Sequence, residues 1–215
     1  ESGKDFKILD YFKIINTSVF KNLNLGIDPS LFTSKQIQNF FLKNNKVTII
    51  KENLVDKISK IKSKKKSSFY SIDKSIAGES HHKKVSRVSS FLKRNKYDYL
   101  FITAPENVAW LLNIRGYDSP TSPIPNSNLL LTKEKQVFLI VEKNKTTKLL
   151  SEKKLKQNQI IDPKYILDFF DKLKKGTILI DEKTCSLYFE KVIEKKLKIA
   201  KKEDPIYILK SIKNN

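Results

Sequence analysis

With 215 residues and 39% hydrophobic side chains, the chain is long enough to bury one large core or two small ones, which excludes a disordered or fibrous class. Its formal charge of +20 rests on 43 Lys and Arg against 23 Asp and Glu, yet only Arg87, Arg94 and Arg115 are guanidinium groups. Arg is the usual side chain for bidentate phosphate and base contacts, and Lys is spread through every segment, so the charge reads as solvated helix faces and argues against nucleic acid as a partner.

From Asp5 to Leu23 the apolar positions Phe6, Leu9, Phe12, Ile15, Val19 and Phe20 recur at three- and four-residue steps, which predicts an amphipathic helix. Leu25 and Ile27 then alternate as in a short strand closed by Asp28-Pro29. Ser34 is the expected cap of a helix through Leu42, and Val47–Lys51 is a β-branched strand followed by a turn or short helix at Asn53–Asp56. Residues 59–75 lose this periodicity and are rich in Ser and Lys, including the Lys62–Lys66 run. They read as a linker, with Phe69, Tyr70 and Ile72 available to staple it to a neighbour.

The second unit opens with Gly78-Glu79-Ser80, where Ser80 caps a helix through Lys96 with the stripe Val85, Val88, Phe91 and Leu92. His81 and His82 fall in its first turn about 100° apart and read as exposed, not as a chelating pair. Tyr97–Thr103 is a strong strand, and Pro105 opens a helix that carries the only Trp, Trp110. Two strands, Asn128–Thr132 and Gln136–Glu142, should form an antiparallel hairpin. A polar helix over Thr146–Lys156, a short apolar piece at Gln159–Ile161, and a helix started by Asp162-Pro163 and closed by Gly176 follow. The last elements are a strand at Thr177–Asp181, a helix at Thr184–Leu197 that includes Cys185, an edge strand at Ile199-Ala200 and the start of a helix after Pro205. Helices alternating with strands, plus one hairpin, imply an α/β fold with a mixed sheet flanked by helices.

Five Gly residues cannot supply a GxGxxG or P-loop pattern, which removes the familiar nucleotide-binding folds. One Cys and one adjacent His pair supply neither an internal disulfide nor a transition-metal set, so no catalytic or metal-ligating residue is assigned. No apolar run approaches the ~20 residues of a membrane span, and the N-terminus lacks signal-peptide order. The expectation is therefore cytoplasmic residence without a membrane partner. The absence of any Met leads us to expect a piece of a longer polypeptide.

The most informative stretch is Val108–Pro125, VAWLLNIRGYDSPTSPIP, where a buried helical run empties into Asn113, Arg115, Gly116 and Asp118 and then into a loop stiffened by Pro120, Pro123 and Pro125. Trp110 is expected in the core and Gly116 at a positive φ. Arg115 and Asp118 could pair with one another to brace the loop, or be free to carry function.

Five segments in order carry a family resemblance: Gly26-Ile27-Asp28-Pro29, Asn53–Asp56 (NLVD), Gly78–Arg87, the AWLLN-x-RG-x-D-x-P run from Ala109 to Pro120, and PI-x-x-LK-x-IKN from Pro205 to Asn214. Together they resemble the N-terminal region of the three-domain aminopeptidase P family, the Xaa-Pro aminopeptidases of the creatinase and prolidase superfamily. The resemblance implies a creatinase N-terminal, ribonuclease H-like fold. Residues 1–58 would be the second half of a first such domain, 59–75 a linker, 76–204 a second domain, and 205–215 the entry to a catalytic domain. In the family that catalytic domain holds two divalent metals, usually manganese, and none of its ligand motifs occurs here. The loop sequence DSPTSPIP also departs from the family's loop.

By resemblance, this chain would be a non-catalytic fragment of a metallopeptidase that releases the N-terminal residue from peptides with proline in second position. Asn113, Arg115 and Asp118 are its substrate-entrance candidates, with Trp110 and Gly116 as structural signature. Its partners would be its own catalytic domain, the peptide substrates of the parent and a second copy in a homodimer. The alternative is a basic nucleic-acid- or protein-binding module without enzymatic role. Half a sheet domain exposes an unpaired edge, so amides of residues 1–58 should exchange faster than those after Gly78; equal protection of both stretches by hydrogen exchange would contradict this.

Overall fold

The computed structural model describes residue 13 and residues 18–50, 52–58 and 68–212. The chain divides into two compact units, residues 1–60 with 186–188, and residues 61–185 with 189–215. The helix expected over Asp5–Leu23 lies mostly outside the described residues; its described end, Ser18–Phe20, is a 3₁₀ turn. The Lys62–Lys66 run also lies outside them.

In the first unit β1 (Asn24–Ile27) and β2 (Lys46–Ile49) pair in parallel, joined through α1 (Ser34–Gln36) and a π-helical turn at Ile37–Phe41. Thr33, not Ser34, caps this helix. Its hydroxyl accepts from the Gln36 amide at 3.2 Å while the Gln36 side chain accepts from the Thr33 amide at 2.9 Å, a reciprocal capping box. Ile27, Ile37 and Phe41 form a small core, with the Phe32 ring edge-on to Phe41 at 5.2 Å. Two of the family-like segments meet here: the Asp28 carboxylate accepts from Ser30 and, at 3.0 Å, from the Asn53 amide that precedes α2 (Leu54–Ile58). These hydrogen bonds, from Ser30 first, hold the Asp28 carboxyl below its ordinary range.

In the second unit the described residues begin at Ser68, within the stretch 59–75 read as a linker. Phe69 is fully buried, β3 (Tyr70–Ser71) pairs antiparallel with β5 (Ile114–Arg115), and Asp73 caps the short α3 (Lys74–Ala77), which ends on Gly78 at φ 72°. The Ser80-capped α4 (His81–Arg94) presents Val85, Val88 and Leu92 to the interior. β4 (Tyr99–Ile102) and α5 (Pro105–Leu112) follow. β6 (Asn128–Thr132) and β7 (Val137–Ile140) form the antiparallel hairpin. After them come α6 (Thr147–Ser151), β8 (Ile160–Ile161), α7 (Ile166–Asp171), β9 (Thr177–Ile180), α8 (Leu187–Glu194), β10 (Lys198–Lys201) and α9 (Pro205–Ser211).

Six strands form one mixed sheet in the order β10-β9-β4-β6-β7-β8. β10, β9 and β4 run parallel, β4–β6 and β6–β7 are antiparallel, and β7–β8 is parallel. All four residues of β4 are buried, as are four of five in β6 and three of four in β9. Unbroken apolar strands of this kind need cover on both faces, which is why YLFI, LLL and ILI carry no polar alternation.

Three expected features differ. Cys185 sits buried in the bend before α8 and not in a helix, and burial pushes its thiol up to about 12. The polar helix after the hairpin shortens to Thr147–Ser151, because Lys153 takes a left-handed conformation at φ 54°. Gly176 does not close α7, which ends on Lys172; a Cβ at Gly176 would stand 2.6 Å from the Asp98 carboxylate, which accepts there from the Thr177 amide at 2.8 Å.

Asp204 caps α9 by accepting from the Ile206 amide at 2.9 Å and takes a second hydrogen bond from the buried Asn107 at 2.8 Å. Burial nevertheless raises its carboxyl to about 6. Between about pH 4 and pH 6 the folded chain therefore holds a proton that the unfolded chain has released, so stability falls as pH rises through that window. His81, whose pKa burial lowers to about 4, acts in the opposite sense over this window, so the effect is read as a difference: from pH 4.5 to pH 7 the urea midpoint of Asp204→Asn should gain on that of wild type, whatever the swap itself costs.

Candidate functional site

The end of α5 sets the geometry of the stretch that the sequence singles out. Pro105 starts the helix, and Asn113 ends it in a left-handed conformation at φ 52°, ψ 50°, one that Asn adopts more readily than other side chains with a Cβ. The positive φ thus falls on Asn113 and not on Gly116. Gly116 is required for a different reason: a Cβ there would lie 2.9 Å from both the Phe69 ring and the Pro125 backbone. Its amide donates to the Pro123 carbonyl at 3.0 Å, so the loop doubles back directly over it.

Behind the loop lies a buried polar clasp. Lys84, only 3% exposed, donates from Nζ to Asn113 Oδ1 at 2.6 Å and to the Trp110 carbonyl at 3.1 Å, and stands 4.4 Å from the centroid of the Trp110 ring. Asn113, equally buried, donates from Nδ2 to the Glu79 carbonyl at 2.7 Å, and its own carbonyl accepts from the Ile72 amide at 2.8 Å. The start of α4, the end of α5 and the strand entry from Phe69 are thereby tied at one point. Burial lowers the Lys84 pKa, with Glu79 opposing and Arg115 and Arg87 adding to the shift. Trp110 is half-buried, not a full core residue. One face packs on the core while Lys84 and, at 5.8 Å, the Arg87 guanidinium stand over the ring.

Arg115 and Asp118 are not brought together as a pair. Arg115 donates to the Ile114 carbonyl at 2.8 Å and the Ala109 carbonyl at 3.4 Å. Asp118 pairs instead with Lys145 at 2.6 Å, largely out of solvent, and accepts from the Asn126 amide at 2.7 Å. Lys145 is itself fixed because its carbonyl accepts from the Phe69 amide at 2.7 Å. Between these anchored residues Tyr117 is 65% exposed and stacks on Tyr70 at 5.3 Å. Lys84, Lys145 and Tyr117 are missing from the sequence-based site. Only Lys84 left a trace, since it falls on the inward stripe four residues before Val88.

His81 is not exposed as expected. It is half-buried with Nδ1 3.0 Å from Lys154 Nζ, and burial first, then Lys154, pushes its pKa down to about 4. Neutral imidazole can accept that contact. Among the described residues no three His, Cys, Asp or Glu side chains gather to hold a metal ion, so the donor set does not fit a dinuclear centre.

A helix-flanked mixed sheet with a loop clasped at the end of α5 defines an α/β domain. The chain belongs to the Creatinase/Prolidase N-terminal domain family, whose model matches residues 60–215. It is 28% identical over 132 residues to "Probable Xaa-Pro aminopeptidase P" of Laccaria bicolor, covering 57% of this chain and 21% of that protein. It is 25% identical to Xaa-Pro aminopeptidase 2 of Rattus norvegicus in an alignment covering 100% of this chain and 34% of that one. The crystal structure of X-prolyl aminopeptidase from Caenorhabditis elegans, described as a cytosolic enzyme with a di-nuclear active site, superposes with a TM-score of 0.73 at 21% identity, over 91% of this chain and 34% of that one. At that identity the likeness concerns the fold. The chain spans only about a fifth to a third of the length of these proteins. No described helix is long and apolar enough to cross a membrane.

Gly116→Ala should destabilise the second unit by about 1–3 kcal/mol, because the Pro125 backbone cannot yield as a side chain can. A urea midpoint unchanged from wild type would show that the loop does not lie as close to Gly116 as described.

Proposed function

We propose that this chain is the non-catalytic N-terminal portion of a metal-dependent aminopeptidase that releases the N-terminal residue from peptides with proline in second position. It would help to shape the active-site entrance, beside a catalytic domain holding two divalent cations, by expectation manganese. Family membership over residues 60–215 carries the reading. The shape of the candidate loop supports it: Asn113 and Asp118 are spent on internal hydrogen bonds that hold its form, while Arg115 keeps guanidinium donors beyond the two carbonyl contacts and Tyr117 projects from the tip. In this reading Asn113 and Asp118 act on the entrance by positioning it, and Arg115 and Tyr117 are the groups that peptide substrates would meet. Peptides, the catalytic domain and a second copy in a homodimer are the proposed partners, in the cytoplasm.

In the complete parent enzyme, Arg115→Ala or Tyr117→Ala should raise KM for Xaa-Pro peptides by about three- to tenfold with kcat within about twofold. The isolated chain should not hydrolyse such peptides with or without added manganese. Hydrolysis by this chain, or unchanged KM in both variants, would overturn the proposal. Tight nucleic-acid binding at physiological salt with a steep salt slope would favour a basic module instead.

A further inference from the structure

Lys154 is placed by the turn that ends α6. Lys153 takes its left-handed conformation there, the Lys154 amide donates to the Leu149 carbonyl at 2.9 Å, and the buried Leu155 anchors the next position. The half-buried Lys154 side chain thereby meets the first turn of α4, where its Nζ stands 3.0 Å from His81 Nδ1. An ammonium drawn partly out of water is ordinarily met by a carboxylate. Among the described residues Lys154 makes no ion pair, because the nearby Glu152 is turned to the Ser71 amide and hydroxyl and, at 3.8 Å, to Lys148.

The groups around the pair disfavour protons on it. His82 stacks on His81 with ring centroids 3.8 Å apart, and the buried Lys84 adds positive charge that acts on His81 and is felt against Lys154. Burial lowers the Lys154 pKa, with only Glu152 opposing, while burial and then Lys154 bring His81 down to about 4. A neutral His81 with its proton on Nε2 accepts a hydrogen bond at Nδ1 from a neutral Lys154 amine and leaves the amine's lone pair free. An amine desolvated in part, crowded by cations and hydrogen-bonded to an acceptor is an activated nucleophile.

We infer that Lys154 is a covalent modification site, an amine that takes an acyl group from a small thioester with His81 as its positioning residue. Nζ attacks the thioester carbonyl, so that an N–C bond forms and the C–S bond breaks. The thiolate leaves, and the Nζ proton passes through His81 Nδ1 to the departing sulfur. The product is a neutral amide, which removes one positive charge from the neighbourhood of Lys84. A fully solvated Lys, with a pKa of about 10.4, is almost wholly protonated at neutral pH and reacts more slowly.

The test treats this folded chain with acetyl-coenzyme A at about pH 7.5 and follows each Lys by peptide mass spectrometry. Lys154 should be acetylated at least about tenfold faster than the median Lys, and its rate should level off at a lower pH than theirs. His81→Asp supplies the missing carboxylate at a helix first turn, where an acidic residue is favourable, and should slow Lys154 by about tenfold with the other Lys unchanged. Lys154→Arg should remove the fast phase. A Lys154 rate no higher than the median, or a pH profile identical to that of the solvated Lys, would overturn the proposal on the wild-type chain alone. Fast acetylation undiminished in a folded His81→Asp variant would assign the reactivity to exposure and overturn it equally.

Discussion

A single buried ammonium organises the second unit. Lys84 is removed from water and has no carboxylate of its own, and its charge is met by the side-chain oxygen of Asn113, the Trp110 carbonyl and the face of the indole. A buried cation lacking such partners would be strongly destabilising, so helix α4, the end of α5 and the peptide at Ile72 are obliged to converge. Asn113 answers three demands at once: it accepts the left-handed backbone, its oxygen accepts a hydrogen bond from Lys84, and its nitrogen donates to the Glu79 carbonyl. The loop beyond can then be rigid at its base and still expose Tyr117.

The same economy of polar groups recurs at the other end of the sheet. Asp181 accepts from the Asp204 amide, Asp204 from Ile206 and Asn107, and Asn107 from Lys210. This chain of hydrogen bonds ties α9 to the helix that carries Trp110. Tyr207 adds a hydrogen bond to Glu106, and burial, then that contact, raises the phenol well above its ordinary range. Among the described residues no buried side-chain polar atom lacks a partner. Fixed surfaces with titratable groups committed internally suit the proposed role of shaping an entrance.

The fold was largely legible because its apolar strands are unambiguous. YLFI, NLLL and TILI admit only a sheet covered on both faces, and the hairpin between Asn128 and Ile140 followed from the charged turn at Lys133–Lys135. Element ends were less legible. Thr33 took the cap in place of Ser34 because Gln36 stands three residues after Thr33 and completes the box, and Gly176 was kept for the approach of the Asp98 carboxylate and not for a helix terminus.

By itself the sequence determined the α/β class, the order of the elements, the family and the stretch on which the candidate site is built, because these depend on periodicity, capping residues and local motifs. Only the tertiary structure decided the partners within that stretch. Asp118 met Lys145 and not Arg115, Gly116 met Phe69 and Pro125 and not a positive φ, and Lys84 moved from a solvated helix face into the interior. Apart from the local approach of Pro125 to Gly116, these join residues 27 and 47 positions apart or turn on which face of α4 is covered, and no local pattern records such distances.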